Sequence, residues 1–281
     1  MRKAYVKNNQ IALYGIMLRE VFIMYIIISV SIIVSAYMIY NQMENMSRIY
    51  SCALDGIVVW CTSSMLNLGL LPVIISVFLH MHYDIYMRNV CVIKQKSRTG
   101  MWFNEQKLSL IICSVAFTWS MILSFVLAYI MNKGNIYANV SDDLFFTNTY
   151  YGIMLSQCTD IQAGQETLIP AINIVWVIIR VWLINMLQLY MVVMEADVIY
   201  WLSGKRLFST IILSAMCMIT AIFPKSRRYA YVLGIKVKAY SYYLEALNIN
   251  VWLKHIFIML VIILLTNVVM SFVVKNKDMV M

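Results

Sequence analysis

Charge is what this chain has least of. Only 12% of its 281 residues are Asp, Glu, Lys or Arg, about half the share of an ordinary soluble domain. That is too little polar surface for a soluble domain of this length. It also removes the usual support for reading the net charge of +9 as a nucleic-acid footprint. Proline is confined to Pro72, Pro170 and Pro224, at or inside the ends of apolar runs. The six cysteines, Cys52, Cys61, Cys91, Cys113, Cys158 and Cys217, form no CxxC pair, which leaves zinc and thioredoxin-like chemistry without a basis. There is no GxxxxGK[ST] loop to cradle ATP phosphates, no HExxH and no GxSxG, so ATPase, zinc-protease and serine-hydrolase readings have no anchor. No internal repeat or low-complexity tract interrupts the chain.

What is present is apolar: 62% of the residues are hydrophobic. A membrane-crossing helix needs about 20 largely apolar residues. Six runs qualify or nearly so, at 21–40, 57–79, 108–131, 169–194, 207–223 and 252–274. None shows the period-2 alternation of a membrane barrel. The expected fold is therefore an all-α membrane protein of six transmembrane helices in a single domain, multi-pass and resident in a cytoplasmic membrane. Residues 4–19 begin basic and turn apolar, the pattern of a helix lying in the interface before the chain enters the membrane at Arg19–Glu20; a longer first span is the plainer alternative. No small-residue cleavage site follows the first run, which reads as a retained anchor.

Orientation follows from Lys and Arg. With the N-terminus inside, the inner segments hold thirteen of these residues and the outer segments eight, which favours cytoplasmic termini. Two outer segments are long. The first, 132–168, carries Asp142, Asp143, Asp160 and Glu166. The second, 224–251, is semi-polar and rich in tyrosine, and reads as an interfacial loop or a shallow re-entrant element. Cys52 and Cys158 fall in outer loops and can pair, although free thiols are the simpler reading.

Few side chains inside the runs invite chemistry. Arg180 lies near the middle of the fourth, where a charge costs about 2.5–3.5 kcal/mol. Asn173 and Gln188 share its helix face, so that face is expected to look into the bundle, lining a path or clasping helices through partners such as Asn67 and Asn267. Glu195 and Asp197 are expected at the inner end of the same helix, opposing its dipole and relieved by cations such as Lys205 and Arg206 or by arginines of a partner chain. His80 and His82, two residues apart, point to different helix faces and make a poor metal pair. The 22 methionines are spread through every run and read as packing rather than copper ligands.

The inner loop 80–107 is the longest cytoplasmic connection. It carries Arg88, Lys94, Lys96, Arg98 and Lys107 with an exposed-looking Trp102–Phe103 pair, and Ser97–Gly100 reads as a turn between two protruding helices. The stretch SRTGMWFNEQKLSL, with Arg98, Trp102, Glu105, Lys107 and Ser109, resembles in character and position the loop between spans two and three of permease subunits of type-2 ATP-binding-cassette exporters. The interfacial N-terminal helix, six spans, inner termini and a semi-polar segment before the last span also resemble that family. The resemblance implies a coupling helix at Arg88–Lys107 that seats in a separate ATPase subunit. It further implies ATP and magnesium on that subunit and no cofactor on this chain, a second permease chain (identical or related), and an amphipathic or hydrophobic cargo such as a peptide, lipid or toxin. It makes the protein a mechanical permease of a bacterial cell membrane and not an enzyme. The rival readings are a membrane scaffold or sensor that binds a partner through 132–168, and an intramembrane enzyme, which needs a polar catalytic pair within the spans.

Overall fold

The computed structural model describes residues 2–45, 52–61, 65–88, 98–134, 174–222, 229–232, 235–238 and 249–276. Helix α1 is Arg2–Asn45, α2 is Leu71–Arg88, α3 is Arg98–Met131, α4 is Ile174–Ser203, α5 is Arg206–Ile222 and α6 is Ile249–Asn276. Four helical stretches are long and apolar enough to cross a membrane, Arg19–Asn41, Arg98–Met131, Val175–Ser203 and Ile249–Lys275. They mark a membrane-embedded protein. Their outward surfaces agree: Phe22, Ile111, Ile122, Phe257, Leu264 and Phe272 are all exposed, which is costly in water and natural in lipid.

Helix α4 is the centre of the bundle. Of its apolar window 72% is buried, against 22% to 33% for the other three, and α2, α3, α5 and α6 all pack on it. Over its described side chains, helix α1 buries a stripe of Met24, Ile28, Ile32 and Ala36, with Ser35 beside it. The four stripe positions recur every four residues, one narrow face of a helix, and that face lies on α2 and α3.

Three expectations change. The first helix runs unbroken through Arg19–Glu20, so the interfacial helix expected at 4–19 and the span at 21–40 are one rod. The expected second span, 57–79, is divided. A short turn at Ala53–Asp55 leads into a π-helical stretch at Gly56–Trp60. A second π-helical stretch, Met65–Leu70, runs into α2, where Pro72 stands as the second residue. Proline has no N–H to offer the carbonyl four residues back and its ring crowds that carbonyl, which is reason enough for the turn upstream to widen. In the expected outer segment 224–251, strands β1 (Tyr229–Val232) and β2 (Ile235–Lys238) form an antiparallel hairpin with Tyr229 opposite Lys238, a small appendage on an otherwise all-helical bundle. The acidic segment 135–168 lies outside the described residues.

Local signals explain the ends. Gly204 adopts φ 67°, and its N–H donates to the Tyr200 carbonyl at 2.8 Å, the left-handed glycine stop of a helix C-terminus. It turns the chain from α4 into α5. Gly56 has a different role. A Cβ there would run into the Ser124 carbonyl oxygen and the Ala128 methyl of α3, so the π-helical stretch approaches α3 backbone to backbone. Gly56→Ala is expected to destabilise the purified protein by about 1–3 kcal/mol, the usual cost of overpacking a tight contact, read as a lowered melting temperature in detergent.

Candidate functional site

The described core contains one extended polar network, built where α2, α3 and α4 meet. Asp197 of α4 is fully buried. One carboxylate oxygen, Oδ1, lies 3.1 Å from Nε2 of the buried His80 on α2. The other, Oδ2, accepts from Ser109 Oγ at 2.9 Å and from Gln106 Nε2 at 3.1 Å, both on α3. Three donors on one carboxylate are what a buried acid requires if it is not to cost stability.

The network widens from there. Tyr83 OH lies 2.9 Å from Ser109 Oγ and also donates to the Glu105 carbonyl at 3.2 Å. Tyr190 OH donates to Gln106 Oε1 at 3.0 Å. The Trp201 indole donates to the Glu105 carboxylate, and Tyr200 stacks on the His80 ring with centroids 4.6 Å apart. Trp102 joins the last helix: its indole N–H donates to Asn267 Oδ1 at 2.9 Å, and its ring meets Trp201 edge-on at 6.2 Å. Asn267 Nδ2 in turn reaches Met194 Sδ at 3.8 Å. These bonds tie α2, α3, α4 and α6 to one another.

The arrangement joins three helices through one carboxylate. In a Ser-His-Asp triad the imidazole stands between the hydroxyl and the acid. Here the Asp197 carboxylate stands between Ser109 and His80, so neither of those bonds places the imidazole on the hydroxyl. A second, apolar groove of about 320 Å³ lies between the Gly56–Trp60 stretch, α3 and α4, lined by Ile57, Met121, Phe125, Ile178 and Trp182 among others. It offers no titratable group.

The residues singled out from sequence divide. In the expected coupling loop, α2 ends at Arg88 and α3 begins at Arg98, with Lys94 and Lys96 outside the described residues. Arg98, Phe103 and Lys107 are exposed, but Trp102 and Glu105 are buried. The Trp102–Phe103 pair therefore does not form an exposed tip. Adjacent residues on a helix point about 100° apart, and this helix turns Trp102 into the bundle. Glu195 and Asp197 are not at a helix end, because α4 continues to Ser203. Both are buried. Asp197 is held by α2 and α3 rather than relieved by Lys205, which is exposed. Arg180 is half-buried, and its carbonyl accepts from the Trp252 indole of α6 at 3.0 Å. Gln188 is fully buried, and Asn173 lies outside the described residues. Asn67 donates to Asn185 Oδ1 at 3.2 Å, a clasp between the π-helical stretch and α4. Cys52 is buried, and burial followed by the neighbouring Asp55 carboxylate pushes its thiol up to about 12; Cys158 lies outside the described residues.

Tyr83, Gln106, Tyr190 and Trp201 were not singled out from sequence; His80 enters there only as half of a metal pair with His82, and Ser109 only as part of the coupling-loop stretch. A partial signal existed: Glu105 and Ser109 stand four apart on one helix face, as do Asp197 and Trp201. The chain matches no protein-family model, no curated protein and no solved structure.

Proposed function

We propose that this chain is the permease subunit of an ATP-driven exporter, with ATP and magnesium held by a separate ATP-binding-cassette subunit. In this reading it crosses a bacterial cytoplasmic membrane six times with both termini inside, and the segment before α6 sits at the outer interface. It works beside a second permease chain, the same or related, in contact with membrane lipids, to move an amphipathic or hydrophobic peptide, lipid or toxin.

The observation that carries the reading is the elbow between α2 and α3. Both helices overrun their apolar portions, α2 as far as Arg88 and α3 from Arg98, and the nine residues between add Lys94 and Lys96. A cationic elbow of this kind suits an acidic cleft on a soluble partner. Its base is bonded to Asp197, so a push on the elbow would be delivered to the central helix through packed, hydrogen-bonded side chains, the physical means by which such motion travels.

The test is affinity purification from native membranes. An ATP-hydrolysing subunit is expected to co-purify, and the triple change Arg88→Glu, Lys94→Glu, Arg98→Glu is expected to weaken its retention by about 100-fold or more, since like charges across a contact cost several kcal/mol. Undiminished ATPase retention by the triple variant would refute the coupling role.

A further inference from the structure

Glu195 stands apart from the Asp197 joint. Two residues along an α-helix is about 200°, so the two acids look to opposite sides of α4. Asp197 has three donors, whereas among the described residues both carboxylate oxygens of Glu195 lack any hydrogen-bond partner although the residue is only 2% exposed. Gln188, seven positions earlier and hence on the same face, is fully buried, and neither its Oε1 nor its Nε2 has a partner among the described residues. Buried polar atoms are nearly always satisfied. Two neighbouring polar side chains left bare on one face of the central helix, about 10 Å apart along its axis, mark a place built for something that is not protein.

The other titratable groups packed round α4 are engaged elsewhere. His80 of α2 bonds Asp197, Glu105 of α3 bonds Trp201, Tyr190 bonds Gln106, Ser209 of α5 donates to the Ala196 carbonyl at 2.6 Å, and His255 of α6 has interactions of its own. Arg180, on the same side of α4, is about 22 Å away along the axis. The missing complement to Glu195 is therefore a single positive charge. A divalent ion would call for more than one carboxylate to balance its charge, and no three of His, Cys, Asp and Glu converge to hold a metal among the described residues.

We propose that Glu195, supported by Gln188, binds a monovalent cation within the bundle, either a sodium ion or a proton. The site belongs to this chain alone and does not depend on an ATPase partner. A ligand that binds only the folded state raises its stability with concentration, so the assay is the melting temperature of the purified full chain in detergent, read by intrinsic tryptophan fluorescence. One arm replaces choline chloride by sodium chloride at constant alkaline pH and ionic strength. The other acidifies the choline buffer. One arm is expected to raise the melting temperature by about 5–10 °C at a hundredfold excess over the dissociation constant, and the arm that responds identifies the ion. Glu195→Gln, which keeps the shape and loses no bond, should melt normally and show no such shift. Gln188→Leu should move the midpoint of the response to about tenfold higher concentration. Absence of a response in both arms for the natural chain would overturn the proposal, as would a full response retained by Glu195→Gln. Should that variant fail to purify, Glu195→Asp decides: an unshifted midpoint overturns the proposal, and a midpoint moved by about tenfold upholds it.

Discussion

Asp197→Ala is expected to destabilise the protein by about 3–5 kcal/mol, the penalty for removing one member of a buried, hydrogen-bonded ionisable pair. The change deletes the acceptor shared by His80, Gln106 and Ser109 and leaves their donors facing one another in an apolar core. Each orphaned donor costs about 1–3 kcal/mol on its own, and the surrounding helices relax only in part. Asp197→Asn keeps the volume and one acceptor oxygen, so its cost should be smaller. The informative variant is the double change His80→Leu with Asp197→Leu. If the cost of the single change comes from unpaired polar groups, the double variant should be more stable than Asp197→Ala, because it strands two donors, those of Gln106 and Ser109, instead of three, and fills the space with apolar volume. Melting curves of the three variants in one detergent measure this. An Asp197→Ala protein that melts like the natural chain would mean that the joint does not hold the helices together.

Trp102→Ala carries the second large effect, about 3–5 kcal/mol. The side chain is wholly buried, donates to Asn267 and meets Trp201 edge-on. Its removal opens a cavity at the base of the elbow and strips Asn267 Oδ1 of its donor. Phe103→Ala, one position along, alters an exposed residue and should fall within about 0.5 kcal/mol of neutral. The contrast separates the two orientations available to this pair. An elbow with both aromatic rings outside would make both substitutions mild in the isolated chain and would show its effect only when a partner is present.

The apolar runs were legible because length and composition alone set the condition for crossing a bilayer. Stretches corresponding to the first, third, fourth and sixth runs appear as long apolar helices. Their ends and interior faces were less legible. Glu195 and Asp197 looked like the close of the fourth run because charge normally ends an apolar stretch. The partner that allows Asp197 to be buried, His80, is 117 positions away in the chain, and no local pattern carries that information. The divided second run is a milder case, since Pro72 stands inside it but the hydropathy around it is continuous. The inward turn of Trp102 and Glu105 was missed for a related reason. The buried stripe of α3 runs through Trp102, Glu105, Gln106, Ser109 and Cys113, a helical spacing that alternates apolar and polar types. Hydropathy averages such a stripe away, whereas a reading by face retains it.

Helix α1 has no break over 44 residues, a length of about 66 Å, more than twice the hydrocarbon thickness of a bilayer. A stiff arm of that proportion multiplies angle into travel. The stretch before Arg19 extends roughly 27 Å from the apolar portion, so rocking the crossing by about 10°, well inside the spread of tilts that membrane helices adopt, would sweep its far tip by about 5 Å. Whatever grips that tip would sense slight leaning of the bundle as a displacement the size of an amino-acid side chain.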